Sequence, residues 1–341
     1  MSEANVKPVV AVTLGDPAGI GPELIAKLLA RSRTLEAANV VLVGDTWLWA
    51  DGQQVAGLQV ATDRVDSFAA VRARPDTGRP AFLVMDTVRP DQVERGRAQA
   101  PGGASVLQVL DRCMDAARAG EIDAICFGPL NKHAMKQGGL RHEDELHHFA
   151  EYLGVSGYFC EFNTLDGLWT SRISSHVPLA DVPKYVNQAR VMDAARLIYR
   201  SLQANGVAAP RVAVAGLNPH NGEGGTCGRE EIDVIIPAVR QLNQEGLPVQ
   251  GPFSADTIFL RARDGELDAI VTMYHDQGQI ALKLMGFSRG VTVQGGLPLP
   301  ITTPAHGTAY DIAGQGKADV TATANAFAIA ARMGLAPRNV H

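Results

Sequence analysis

The sequence predicts an α/β protein, and three observations carry that prediction. Strand-like apolar runs alternate with amphipathic stretches along most of the chain, as expected for strands joined by crossover helices. Several runs are almost continuously apolar, which suits parallel strands covered on both faces. The length of 341 residues admits two or three domains, or one large α/β unit, at roughly 100–200 residues per domain.

Taken in order, PVVAVTLG (8–15) reads as the first strand, followed by a Gly/Pro turn and a helix within 13–29. Pro22 suits the first turn of that helix, where its missing N–H costs nothing. NVVLVGD (39–45), a run at 81–86 and IDAICFGP (122–129) are further strands. Around the run at 81–86, the Pro-, Gly- and Arg-rich stretch 72–103 reads as surface loops. Amphipathic patterns place helices over 104–119, 188–204, 229–245 and 319–334, and Gly120 and Gly206 stand where a glycine stops the first two. LWTSRISSH (168–176), RVAVAGLNPH (211–220) and LDAIVTMYH (267–275) are the later strands. GEIDAICFGP (120–129) and GELDAIVTMY (265–274) echo each other; the echo is too short for a repeat but suggests two similar turn-to-strand units.

Composition excludes several classes. Hydrophobic residues make up 46% and charged residues 20%, close to the globular average and unlike a disordered chain. The net charge of −5 and the lack of a Lys/Arg cluster argue against nucleic acid as a partner. No apolar run approaches the roughly 18 residues that a membrane span needs. The start MSEANVKPVV passes from a short polar lead into a strand with no signal-peptide pattern. Cys113, Cys126, Cys160 and Cys227 form no C-x-x-C pair and read as reduced thiols of a cytoplasmic protein.

The strongest chemical signal is the placing of His176, His220 and His275, each directly after a predicted strand and before loop-forming residues. Ligands of open α/β sheets bind beyond the carboxyl ends of the strands, and three imidazoles on one rim suit a divalent metal with an open position. The alternative is three solvated loop histidines. Gly19 and Gly21 in TLGDPAGIGPELIAKLL (13–29) allow close backbone approach, although G-x-G-x-x-G is absent. HGTAYDIAGQGKADVTA (306–322) reads either as a loop wrapping a flat or phosphorylated group or as a helix-to-helix turn. Lys283, among apolar residues, reads as a desolvated proton carrier or a snorkelling helix lysine. Asp256 reads as a helix-opening residue or an acid that orients Lys283 or a hydroxyl. HEDELHHF (142–149) has metal-tract residues at a helical period and reads equally as a helix start.

Together these segments resemble the 4-hydroxythreonine-4-phosphate dehydrogenase (PdxA) family, from about residue 8 to 334. The matching stretches are GDPAGIGPE, GPLNK, SSHVPL, GLNPHNGEGG with GREEID, GPFSADTIF, MYHDQG, GFSRGV and HGTAYDIAGQGKAD. The resemblance implies two α/β domains with a central cleft, a fold similar to the isocitrate and isopropylmalate dehydrogenases. Residues 1–128 with 283–341 would form the cofactor-side domain, and 129–282 would carry the metal ligands and dimer interface. It also implies oxidation of a secondary alcohol of a small-molecule substrate by NAD or NADP, with decarboxylation in the founding reaction. The implied cofactors include one divalent metal per site, zinc first and magnesium, manganese, cobalt or nickel as alternatives.

Residue by residue, the resemblance makes His176, His220 and His275 the metal ligands, His275 reaching the site of the neighbouring subunit in a homodimer. Lys283 matches a substrate-contacting lysine and Asp256 an aspartate that assists proton transfer. His306, Gly307, Gly314, Gly316 and Lys317 match the part holding the adenosine end of the cofactor. Three substrate positions depart from the family. Glu145 and Leu146 stand at its His-Thr pair, Thr292 at its substrate-binding Asn, and Ile301 at the following Arg. Losing that Arg removes bidentate phosphate recognition, so the expected substrate extends to non-phosphorylated cis-dihydrodiol carboxylates such as terephthalate dihydrodiol. Two other readings are a three-His metallohydrolase without a redox cofactor and a non-catalytic two-lobed binding protein.

Overall fold

A computed structural model describes residues 7–337. Among the described residues there are twelve strands. They are β1 (Val9–Thr13), β2 (Asn39–Gly44), β3 (Asp63–Val65), β4 (Ala81–Val84), β5 (Ala124–Phe127) and β6 (Cys160–Leu165), then β7 (Leu168–Arg172), β8 (Val212–Ala215), β9 (Val249–Phe253), β10 (Ala269–Thr272), β11 (Val291–Gly295) and β12 (Ile301–Pro304). They divide between two compact units, the first running to Ser156 and resuming at Leu297, the second spanning Gly157–Gly296.

These boundaries differ from those expected at 128/129 and 282/283, and close packing explains the difference. Helix Lys132–Gln137 lies so near helix Ala100–Arg118 that a Cβ on Gly103 would come 1.9 Å from the Ala134 carbonyl oxygen. Phe149 then packs edge-on against Phe127 with ring centroids 6.0 Å apart. At the other boundary β11 pairs with β6, from Val291↔Thr164 to Gly295↔Cys160, and stays with the second unit.

In the first unit the strand order is β3-β4-β2-β1-β5-β12, and every pairing is parallel. Its core joins Val9, Ala11, Val41, Val43, Ile125, Phe127 and Ile301 to Val106, Leu110 and Met114 of the long helix. Full burial of each such aliphatic side chain is worth roughly 1.5–3 kcal/mol. Gly120 ends that helix at φ 74°, and Gly206 ends helix Gln188–Ala204 at φ 94°, both in the left-handed region. In the second unit the order is β11-β6-β7-β10-β8-β9. Here β7, β10, β8 and β9 are mutually parallel, while β6 runs antiparallel to both β7 and β11. The hairpin β6–β7 turns at Asp166 (φ 49°) and Gly167 (φ 94°).

The echo has a structural counterpart in each unit. Asp123, just before β5, accepts the Val9 amide at 2.8 Å and donates its own to the Val9 carbonyl at 2.7 Å. Asp268, just before β10, accepts the Arg211 amide at 2.8 Å and donates to the Arg211 carbonyl at 2.9 Å. The same acid therefore pins the start of the neighbouring parallel strand twice. The four cysteines are unpaired. Burial pushes the Cys113 and Cys126 thiols up to about 12, so both are core-filling thiols at neutral pH. No described helix is long and apolar enough to cross a membrane.

Candidate active site

Four adjacent parallel strands of the second unit deliver four of the singled-out side chains to one edge. His176 follows β7, His275 follows β10, His220 follows β8 and Asp256 follows β9. Because the strands are parallel and hydrogen-bonded in that order, all four residues emerge at carboxyl ends. The rings of His176 and His275 stand 5.8 Å apart, centroid to centroid, at an interplanar angle of 41°. His275 Nδ1 lies 2.7 Å from Asp276 Oδ1, so Nε2 is the nitrogen left to ligate. A carboxylate behind a ligating imidazole fixes its tautomer and orientation.

Both loop histidines sit in the left-handed region, His176 at φ 53° and His220 at φ 52°. His220 opens a run that continues through Asn221 (54°), Gly222 (77°), Glu223 (46°) and Gly224 (64°). Such backbone costs about 1–3 kcal/mol per non-glycine residue and persists only where surrounding contacts impose it. Those contacts are present. Asn221 Nδ2 donates to the Pro252 carbonyl at 3.0 Å, and the Cys227 amide to the Gly222 carbonyl at 3.0 Å. The His176 turn is held by Ser174, whose Oγ donates to the Met273 carbonyl at 2.9 Å, and by Arg172, whose Nε donates to Ser175 Oγ at 2.9 Å. Arg172 is buried, with its other nitrogens on Asn163 Oδ1 and Glu161 Oε2, both at 2.6 Å.

The other expected residues of this unit are placed differently. Asp256 is exposed in the first turn of helix Ala255–Arg263, where an acid favours the helix dipole. Lys283 is exposed on helix His275–Gly286. Its apolar sequence neighbours do not bury it within a single chain. Thr292 is buried on β11 and its hydroxyl accepts Asn163 Nδ2 at 3.2 Å.

In the first unit the two glycine-rich segments meet. The Ile20 amide donates to the Thr308 carbonyl at 3.1 Å, and the Tyr310 hydroxyl to Asp16 Oδ2 at 2.8 Å. Lys27 Nζ reaches Glu23 Oε1 at 2.7 Å and the carbonyls of Gly316 and Ala318 at 2.9 and 2.7 Å. Gly307 and Gly314 are exposed, and nothing lies within 4 Å of where a Gly307 Cβ would stand. His306 is half-buried with Nδ1 3.1 Å from the Gly307 carbonyl oxygen, and the exposed Lys317 donates to Gln315 at 2.9 Å. The segment is thus an anchored loop with open backbone, not a bare helix-to-helix turn. Glu145 opens helix Glu145–Tyr152 and is buried, 3.9 Å from Lys132 Nζ. Leu146 and Ile301 are buried, Ile301 within the apolar core of this unit. HEDELHHF is a helix start: Asp144 caps it by accepting the His147 amide at 3.0 Å, and His148 pairs with Asp111 at 2.7 Å.

Comparison with known proteins decides between the readings. The family model "Pyridoxal phosphate biosynthetic protein PdxA" matches residues 36–330. The chain belongs to the PdxA family. A Pseudomonas aeruginosa relative named "Putative 4-hydroxythreonine-4-phosphate dehydrogenase 2" is 53% identical over 329 residues, covering 96% of this chain and 97% of the relative. The crystal structure of 4-hydroxythreonine-4-phosphate dehydrogenase from Klebsiella pneumoniae is 33% identical with a TM-score of 0.81, covering 96% of this chain and 99% of that one. A terephthalate 1,2-cis-dihydrodiol dehydrogenase from Burkholderia xenovorans LB400 is 29% identical with a TM-score of 0.65, covering 92% and 98%. The beta-decarboxylating dehydrogenase of Thermococcus kodakarensis, 16% identical with a TM-score of 0.51 over 93% and 80%, shares the fold. This PdxA-family chain is an oxidoreductase acting on a CH–OH group, and the hydrolase and binding-protein readings give way.

Sequence reasoning missed the residues that hold this PdxA-family site in shape. Asp276, Gln277 and Glu231 lie inside MYHDQG and GREEID, where the histidines drew attention. The signal was their place in the same short motifs. Asp16 and Lys27 were equally visible in the first glycine-rich segment, but their partners are almost three hundred residues away in the chain.

Proposed function

We propose that this PdxA-family chain oxidises a secondary alcohol of a small hydroxy acid, using NAD(P) and a divalent metal, with His176, His220 and His275 as the metal's ligands. The observation that carries the reading is the delivery of the three histidines, and of Asp256, to the carboxyl edge of four neighbouring parallel strands. The donor set fits a borderline-soft ion: imidazole nitrogens, with a carboxylate behind one of them. When bound, such an ion supplies Lewis acidity that favours the alkoxide of a coordinated hydroxyl. The nicotinamide supplies the hydride acceptor.

The chain's own residues supply position and proton handling. The strained turns at His176 and His220 hold the imidazoles out from the strand ends. Lys283, exposed beyond the first turn of the helix that His275 begins, is the proposed proton acceptor, with Asp256 as its orienting acid. Loop 306–317, tied down by Lys27, holds the adenosine end of the cofactor on the first unit, and the second unit carries the metal ligands. A homodimer is supported by helix His275–Gly286, which exposes Ile280 (59%) and Leu284 (84%) one turn apart. Such an interface places His275 beside a neighbouring copy, and His275 completes the metal site there. The unpaired cysteines suit a reducing cytoplasm.

For the substrate, the place of the phosphate-binding Arg is taken by the buried Ile301, which supports a carboxylate-bearing diol as well as a phosphorylated hydroxy acid. The deciding experiment offers NAD or NADP with phosphorylated hydroxythreonine and with dihydrodiol carboxylates, following nicotinamide absorbance and carbon dioxide release. Turnover that survives metal depletion, or His220→Ala, overturns the mechanism.

A further inference from the structure

We infer that Glu231 is the positioning residue for His220, because the loop that carries His220 is folded around its carboxylate. β8 ends at Ala215, and the N–H groups that follow turn onto one side chain. Glu231 Oε1 accepts the amides of Leu217 and Asn218 at 2.7 Å each, and Oε2 accepts Asn218 Nδ2 at 3.0 Å. The same carboxylate borders the loop on the far side of His220, where Oε2 lies 2.8 Å from the point a Gly222 Cβ would occupy. On the near side, Oε1 lies 3.1 Å from the corresponding point of Gly216. His220 is thus the middle residue of the segment from Asn218 to Gly222, and both ends of that segment meet one group. Glu231 is 1% exposed, so its carboxylate forms the inside of the loop.

Both sides of this grip are anchored. Glu231 opens a π-helical turn, Glu231–Ile235, ahead of helix Ile236–Gln244. Such turns are rare and concentrate at functional sites. On the strand side, the Gly216 amide donates to the Phe253 carbonyl of β9 at 2.8 Å, and the Gly216 carbonyl accepts Gln277 Nε2 at 2.8 Å. The left-handed run that begins at His220 therefore starts from a determined point, and its strain is met by three donors converging on one carboxylate. An amide side chain has a single acceptor oxygen and serves only part of that donor set. A shorter acid keeps the charge but draws the oxygens back by one methylene. A misplacement of about 1 Å is enough to spoil a preorganised site. The role concerns His220 alone and is independent of His275, which in the proposed homodimer serves the neighbouring copy.

The inference rests on the proposal that His220 ligates a metal, and the test separates the two. The metal-stripped full-length chain is titrated with Co²⁺, reading affinity and the visible absorption bands. Light scattering checks that the assembly state is the parent's, and apo-protein thermal unfolding checks the fold. Glu231→Gln is expected to weaken Co²⁺ binding by about 10–100-fold and to change the band intensities. Glu231→Asp, which keeps the charge, is expected to do the same, and it serves if the glutamine variant does not fold. Loss in the glutamine variant with parental binding in a folded aspartate variant shows the carboxylate acting through its charge, and overturns the positioning role. A lower apo Tm with affinity and spectrum unchanged, while His220→Ala loses binding, overturns it too and leaves the site reading standing. Parental affinity in His220→Ala overturns that reading, and the purpose of Glu231 with it.

Discussion

Asp16 shows how a single carboxyl carries pH dependence. It is 1% exposed, accepts the Ala18 amide at 2.8 Å and takes the Tyr310 hydroxyl at 2.8 Å. Burial outweighs these bonds and pushes its carboxyl above the usual range. The folded chain then holds this proton where the unfolded chain has released it. From the ordinary value of 3.8 up to the raised one, Asp16 costs stability as pH rises, and above that window the cost is constant. Asp16→Asn removes the charged form. The expected outcome is a Tm at pH 7 equal to or above the parent's, with relative gain over the parent growing between pH 4 and 7. A loss that is larger at pH 7 than at pH 4 contradicts the assignment. Asp268 is the opposite case, since the Arg211 guanidinium on both its oxygens, at 3.0 and 2.7 Å, holds it below the usual range. Its contribution is complete above 3.8 and fades as pH falls through the lowered value. Asp268→Asn is expected to cost on the order of 1 kcal/mol near neutrality, with the difference in denaturant unfolding shrinking towards pH 2. Lys27 bears on the proposed cofactor loop instead. Lys27→Met frees two carbonyls of the 316–318 segment, so the expected result is a raised KM for NAD(P) with kcat changed much less, read in initial-rate kinetics.

At the scale of elements, close approach decides more than propensity. Gly103 sits inside helix Ala100–Arg118, where glycine normally weakens a helix. It is there because the Ala134 carbonyl leaves no room for a methyl group. Gly103→Ala is therefore expected to destabilise by about 1–3 kcal/mol, against the gain that helix propensity alone forecasts, as measured by thermal unfolding. The parallel strands were legible because their apolar runs are unbroken: β1, β2, β5, β8 and β10 all fall within the runs expected. Strands β6 and β11 were not read. CEFNTL and VTVQG mix polar with apolar residues, and what makes them strands is pairing with each other. On these strands Asn163, Glu161 and Thr292 join Arg172 of β7 in one hydrogen-bonded set, a burial of polar groups that mutual satisfaction permits.

For the molecule as a whole, the proposed homodimer would cover the exposed Ile280 and Leu284. Replacing both with glutamate is expected to convert a dimer into monomers by light scattering, with secondary structure retained by circular dichroism. A monomeric parent would end that proposal. The α/β plan was legible from alternation, while length left two or three domains or one large unit open and only the family resemblance implied two. The boundary positions were not legible, because they depend on which helix packs against which, through contacts such as Gly103 on Ala134 and Phe149 on Phe127.

The amino-acid order alone settled that β1, β2, β5, β8 and β10 are buried strands, that histidines follow two of these and β7, and that Gly120 and Gly206 stop helices, because each is a property of neighbours in the chain. Tertiary structure decided the rest. It put β7, β10, β8 and β9 side by side, so that separate histidines share an edge. It buried Leu146 and Ile301, left Lys283 exposed, and recruited Gln277, Glu231, Asp16 and Lys27 as anchors. Those outcomes depend on groups that meet only after the chain has closed, and hydrogen-bond partners 61 or 289 residues apart leave no periodic trace.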